Sequence, residues 1–213
     1  MNNREHPAHR AVKDALMGPL GEKLLTNFYL GAKLWKRHWE RPSLMISYRP
    51  IEEYPIVTKS NRVKVNGKSI YNTIFVDFVF VVEPGPGAIG CNECVYIGVE
   101  IKSSLKDIAK VAEQMSRYCK HADYWFLAVP GILIDAATLC SRDSPWIGIC
   151  SYETGEIYKQ PERIYVPDEN RITMLHRLVF CPFQETKHIF YPDYKGTPYD
   201  TSPNVSVPHK SGC

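Results

Sequence analysis

Two of the most apolar stretches in the 213-residue sequence carry charge where strand side chains are expected to be hydrocarbon. TIFVDFVFVV, from Thr73 to Val82, has Asp77 at its centre, and VYIGVEIK, from Val95 to Lys102, ends on Glu100 and Lys102. Side chains alternate along a strand, so Glu100 and Lys102 share one face while Val99 and Ile101 take the other. Two carboxylates and an ammonium in an apolar sheet are costly to bury without partners. A divalent metal and a phosphate would offset that cost. Asp77 and Glu100 on adjacent strands could hold Mg²⁺, which takes few protein carboxylates and keeps waters and substrate phosphates. Lys102 would then face the attacking water and counter the charge that develops on phosphorus. The backbone carbonyl of Ile101, between the two side chains, is a further metal ligand on this reading. The bland alternative is an ion pair at the rim of a sheet. Glu-x-Lys arises by chance about once in a chain of this length. Glu185-Thr186-Lys187 is indeed a second copy, but no Asp-bearing apolar strand lies just upstream of it.

The elements that must position these residues follow from periodicity and breakers. Leu16, Leu20, Leu24, Phe28 and Leu34 recur at helical spacing, so a helical region is expected over 9–39, interrupted at Gly18-Pro19 and Gly31. Pro42, Pro50 and Pro55 make 42–61 read as irregular. Arg62 to Ile70 is a hairpin candidate around Asn66-Gly67. Ser104, with Asp107 three positions on, is expected to cap a helix from Leu105 to Cys119. Tyr124 to Val129 is the next strand, ended by Pro130, which makes a strand–helix–strand unit with a parallel crossover. Trp146 to Cys150 and Arg163 to Val166 read as further strands, with a turn at 153–156. Ile172 to Phe180 reads as a short helix or closing strand, and 192–213 as a loose tail. The expected organisation is one domain over 1–191, with its core at about 62–180.

Composition narrows the class. With 44% hydrophobic and 23% charged residues the chain is globular in character rather than disordered. No apolar run is long enough to cross a membrane, and residues 1–15 lack the apolar centre of a secretory signal, so no membrane partner is expected. Seven cysteines, an odd count, point to reduced thiols and a cytoplasmic location. Cys91 and Cys94 have metal-ligand spacing, but no second such pair exists, so structural zinc is not expected. The net charge of +3 names no partner by itself. Its distribution says more: residues 1–50 carry nine Lys/Arg against four Asp/Glu. Lys33, Lys36, Arg37 and Arg41 alternate there with Trp35 and Trp39. That pattern suits phosphate contacts and base stacking, or the solvated end of an amphipathic helix. Arg62, Lys64 and Lys68, at the hairpin, are the other candidates for phosphate contact.

Asp77 followed by Glu100-Ile101-Lys102 opening a helix resembles the PD-(D/E)XK, or restriction-endonuclease-like, nuclease superfamily. VEIKSSLKDI, YCKHADYWFLAVP and GICSYETGEIYKQP, in that order over about 70–180, resemble the MmcB-like group of bacterial DNA-repair proteins. The resemblance implies an α/β fold with a small mixed β-sheet flanked by helices. It also implies Mg²⁺- or Mn²⁺-dependent hydrolysis of DNA, with Asp77 and Glu100 as metal ligands and Lys102 as the catalytic lysine. Val76 stands where the superfamily's name has proline, and a Pro/Gly/Cys loop lengthens the Asp77–Glu100 connection. Gln114 and Tyr118, one helical turn apart, are similar to the Gln-x-x-x-Tyr motif of RecB-like nucleases, which adds Gln114 to the catalytic candidates. The resemblance also implies a helical glutamate near the metal, for which Glu22 is the candidate. A non-catalytic nucleic-acid-binding module that keeps the fold is the alternative function. The oligomeric state stays open, a homodimer included.

Overall fold

A computed structural model describes residues 7–31, 45–65, 68–83, 94–172, 174 and 187–190. The architecture is α/β: a mixed sheet of seven strands with helices on both faces. Its order is β6-β5-β4-β3-β2-β1-β7, from β1 (Met45–Val65), β2 (Lys68–Glu83), β3 (Val95–Ile101), β4 (Tyr124–Val129), β5 (Ile147–Ser151), β6 (Ile157–Lys159) and β7 (Lys187–Phe190). The pairs β3–β4 and β4–β5 are parallel, and the other neighbours are antiparallel.

Alternation along the strands builds two apolar layers. Trp125, Leu127 and Val129 of β4 face one layer, while Tyr124, Phe126 and Ala128 face the other. The helices α1 (Pro7–Leu16) and α2 (Pro19–Gly31) cover the second layer with Leu16, Leu24, Leu25 and Phe28. The break between them falls at the expected Gly18-Pro19. The short helices α3 (Leu105–Ile108), α4 (Val111–Ser116) and α5 (Ile134–Cys140) cover the first layer with Ile108, Val111, Met115, Ile134 and Ala137. None of the helices among the described residues is long and apolar enough to cross a membrane.

Several expectations change. The stretch 42–61, read as irregular, contains most of β1. β7 pairs with β1 only over Met45–Tyr48, so that edge of the strand has no ladder at either proline among the described residues. One of Pro50 and Pro55 turns its missing donor to that edge, and the other, five residues away in the same register, costs the β1–β2 ladder a hydrogen bond. β7 itself has no counterpart in the sequence reading. The hairpin is present, with Val65 opposite Lys68. The helix expected over 105–119 is two short helices followed by a 3-10 turn at Cys119–His121. Ser104 does cap α3: its hydroxyl accepts from the Asp107 amide at 3.3 Å and donates to the Asp107 carboxylate at 2.7 Å. Arg163 to Val166 is not a strand. Arg163 is instead drawn to a buried carboxylate, and β6 forms the sheet edge after the turn at Gly155, which has φ +70°. Of Ile172 to Phe180, Ile172 and Met174 are helical, and the rest lies outside the described residues. So do 32–44, the loop at 84–93 and the expected tail.

Candidate functional site

β2 and β3 pair from Val82↔Val95 to Phe78↔Val99, and one step further Asp77 stands opposite Glu100. Opposed residues of an antiparallel pair share a face. Asp77 is tied to β3 directly, because the Ile101 amide donates to its Oδ2 at 2.9 Å. The Glu100 carboxylate, whose side chain is 3% exposed, is held by three donors. Lys102 Nζ lies 2.6 Å and Gln114 Nε2 3.0 Å from its Oε1, and the Tyr118 hydroxyl donates to Oε2 at 2.9 Å. Tyr118 is thus a core residue and a site residue at once, and Gln114 faces the carboxylate rather than solvent.

A glycine makes this arrangement possible. Gly98 precedes Glu100 by two positions on the same face, and a Cβ there would lie 2.3 Å from the ring of Trp125. The missing side chain lets the indole lie across β3. Trp125 donates from Nε1 to the Cys119 carbonyl at 2.7 Å, and its ring packs against Tyr118 with centroids 5.0 Å apart. The Tyr118 hydroxyl therefore reaches Glu100 from a fixed platform.

The electrostatics are those of two acids sharing one buried place. Burial raises the Glu100 pKa, the Asp77 charge raises it further, and Lys102 and Tyr118 only partly oppose them, so its carboxyl sits above the ordinary glutamate range. Burial would push Asp77 up as well. Its contacts with His9 and the Ile101 amide, with help from Lys102, outweigh that and hold it below the ordinary range. Burial and the neighbouring Glu100 keep the Tyr118 phenol protonated, hence a donor.

His9 is the site residue that sequence reasoning missed. Its Nε2 lies 3.6 Å from Asp77 Oδ1, brought there by the first turns of α1. No local pattern marks it, since His9 is far from both strands in sequence. The helical glutamate expected at the site, Glu22, lies elsewhere. It is exposed and accepts from the Tyr48 hydroxyl at 3.4 Å. Tyr48 pairs with Val82, five residues or about 16 Å along β2 from Asp77, so the turn of α2 that carries Glu22 lies over the far end of the strand.

Arg62, Lys64 and Lys68 lie in the β1–β2 pair, with Arg62 opposite Tyr71 and Lys64 opposite Ser69. Lys33, Lys36, Arg37, Arg41 and Cys91 lie outside the described residues. Cys94 is half-buried against the core, and its carbonyl accepts from Arg171 at 3.2 Å.

The donor set fits a hard divalent cation. Among the described residues no group of three or more His, Cys, Asp or Glu side chains is placed to hold a metal ion, so any ion at Asp77 and Glu100 would draw its other ligands from elsewhere. Two opposed carboxylates and a nearby carbonyl suit Mg²⁺ or Mn²⁺, which take remaining ligands from water and phosphate. The observation that favours such an ion is geometric: two carboxylates approach one another across β2 and β3 with one ammonium, Lys102, on Glu100, and a cation between them would remove their repulsion.

No protein-family model matches the chain, and no curated protein matches it. Among solved structures, it is similar to a protein of unknown function from Silicibacter pomeroyi, with a TM-score of 0.40 and 15% identity, over 62% of this chain and 73% of that one.

Proposed function

We propose that this chain is a metal-dependent nuclease with a restriction-endonuclease-like core that hydrolyses DNA phosphodiester bonds. The observation that carries the reading is the under-compensated pair in the sheet: Asp77 opposite Glu100, with Lys102 2.6 Å from Glu100. Asp77, Glu100 and the Ile101 carbonyl would hold Mg²⁺ or Mn²⁺. That ion supplies an activated water at neutral pH and a positive charge for the phosphoryl oxygens.

The chain's own residues do the rest. The Ile101 amide and His9 keep Asp77 ionised and aimed. Gln114 and Tyr118 fix the orientation of Glu100, so the carboxylate needs little reorganisation when charge arrives. Lys102, 15% exposed, is close enough to the surface to meet a phosphate while anchored on Glu100. DNA repair or processing is the setting in keeping with this activity.

The test is cleavage of plasmid, single-stranded, flap and junction DNA with Mg²⁺ and Mn²⁺, alongside calorimetric metal binding. Wild type should bind the metal and cut, and Lys102→Ala should bind the metal without cutting. Cleavage by Lys102→Ala at the wild-type rate would sink the mechanism. Metal and DNA binding without turnover would favour the non-catalytic module.

A further inference from the structure

The two longest strands run on past the site. β3 leaves β2 at Asp77, yet β1 and β2 continue to pair from Tyr54↔Val76 out to Val65↔Lys68. Among the described residues no third strand accompanies them there, so they form a two-stranded ribbon that begins at the candidate metal ligand. The register shifts between Val57 and Arg62, where residues 58–61 of β1 face Asn72 alone. Such a bulge bends and twists a ribbon, and bulges recur beside active sites. Over 54–76 the sequence carries Lys59, Arg62, Lys64 and Lys68 and no acidic residue.

We propose that this ribbon is a duplex-DNA arm that lies in a groove and carries the scissile strand to Asp77 and Glu100. The proposal rests on the nuclease reading and adds a substrate class to it, namely double-stranded DNA. Four cations without an anion complement a polyphosphate. The shape selects the duplex: two paired strands, about 4.8 Å apart, fit a major groove about 12 Å wide, and a single strand offers no groove. The ribbon is as long as its β2 strand from Lys68 to Val76, about 27 Å, which covers most of the roughly 34 Å of one helical turn of DNA.

The test is anisotropy of the full chain with labelled duplex and single strand of one sequence, in EDTA so that no cleavage is read. Neutralising the arm in K59S/R62S/K64S/K68S should weaken duplex binding at least tenfold at about 150 mM salt and reduce the log–log salt slope by about 3. Single-strand binding should fall by less than about threefold, and K59R/K64R/K68R should bind duplex as wild type does. Lys64→Glu and Lys68→Glu, made singly, should each weaken duplex binding even if the fourfold variant does not fold. An unchanged salt slope in a folded serine variant overturns the arm. So does equal loss on duplex and single strand, or loss only on phosphatidylserine vesicles with duplex binding intact. Duplex binding that depends on the arm, in a wild type that never cleaves with metal, keeps the arm and removes the nuclease. Wild-type cleavage and KM in the serine variant keep the nuclease and remove the arm.

Discussion

Two carboxylate clusters are buried in one sheet, and their charge balance differs. At the start of β4, Asp123 is fully buried and over-compensated. It accepts from the Tyr96 amide at 3.0 Å, from Arg163 Nη2 at 2.9 Å and from Arg171 Nη2 at 2.5 Å. Its backbone amide and carbonyl bond Tyr96 and Ile164, so one residue joins β3, β4 and the segment that follows β6. Near the other end of β3, Asp77 and Glu100 share one lysine, with His9 at the edge. A cluster with every charge answered holds chain segments together. A cluster that keeps excess negative charge among the described residues is the one to which the proposed cation belongs. Burial alone does not separate the two roles.

That contrast can be broken by mutation, starting with the largest effect. Asp77→Asn or Glu100→Gln should lower metal-dependent cleavage by roughly a thousandfold or more, the scale of losing a preorganised charge at the reacting centre. Initial rates on plasmid DNA would measure it, and a loss under tenfold would erase the distinction. Asp123→Ala should instead act on stability, costing about 2–4 kcal/mol in urea unfolding, because the half-buried Arg171 loses its carboxylate and the Tyr96 amide its acceptor. A cost below about 1 kcal/mol would show that this cluster is not structural either.

Gly98→Ala should cost about 1–3 kcal/mol by forcing a methyl into the Trp125 ring. It should also weaken metal binding at Glu100, since the platform under Tyr118 must move. Calorimetry that finds metal affinity unchanged would separate the platform from the site.

The smallest effect is a pH-dependent difference in melting of the metal-free protein. Glu100 has its folded pKa raised, so its contribution is fully present below the ordinary glutamate range and is lost as pH rises through the folded value. Glu100→Gln should therefore melt higher than wild type near pH 8 and show no such advantage near pH 4. Asp77, held low, contributes above the ordinary aspartate range and loses that contribution as pH falls through its depressed value. Asp77→Asn should then melt lower than wild type near neutral pH. Equal melting of wild type and Glu100→Gln at both pH values would contradict the repulsion described here.

What the sequence disclosed, and what it withheld, follows from range. Asp77, Glu100, Lys102 and the Ser104 cap were legible because acids inside apolar runs and cap spacing are local signals. Gln114 and Tyr118 were legible as a helical pair, but not as the two donors that grip Glu100, since that depends on where α4 lies against the sheet. His9 was not legible, because only the fold brings α1 to β2. The proline-bearing β1 was misread for a related reason. Proline limits a strand only where a neighbour needs its amide, and among the described residues β7 leaves the edge that one of the two prolines faces without a neighbour, while the long β1–β2 ladder absorbs the other.

The open edge has a consequence for the molecule in solution. Among the described residues nothing pairs with the outer edge of β1 beyond Tyr48, and an edge without a partner is a template for any extended chain that passes, including another copy of itself. One of Pro50 and Pro55 removes a donor from that template, and Lys59, Arg62 and Lys64 make two copies repel. The charges assigned to DNA thus also act as gatekeepers against self-association. Neutralising them should raise the tendency to aggregate, so light scattering belongs beside any binding measurement on the arm variants.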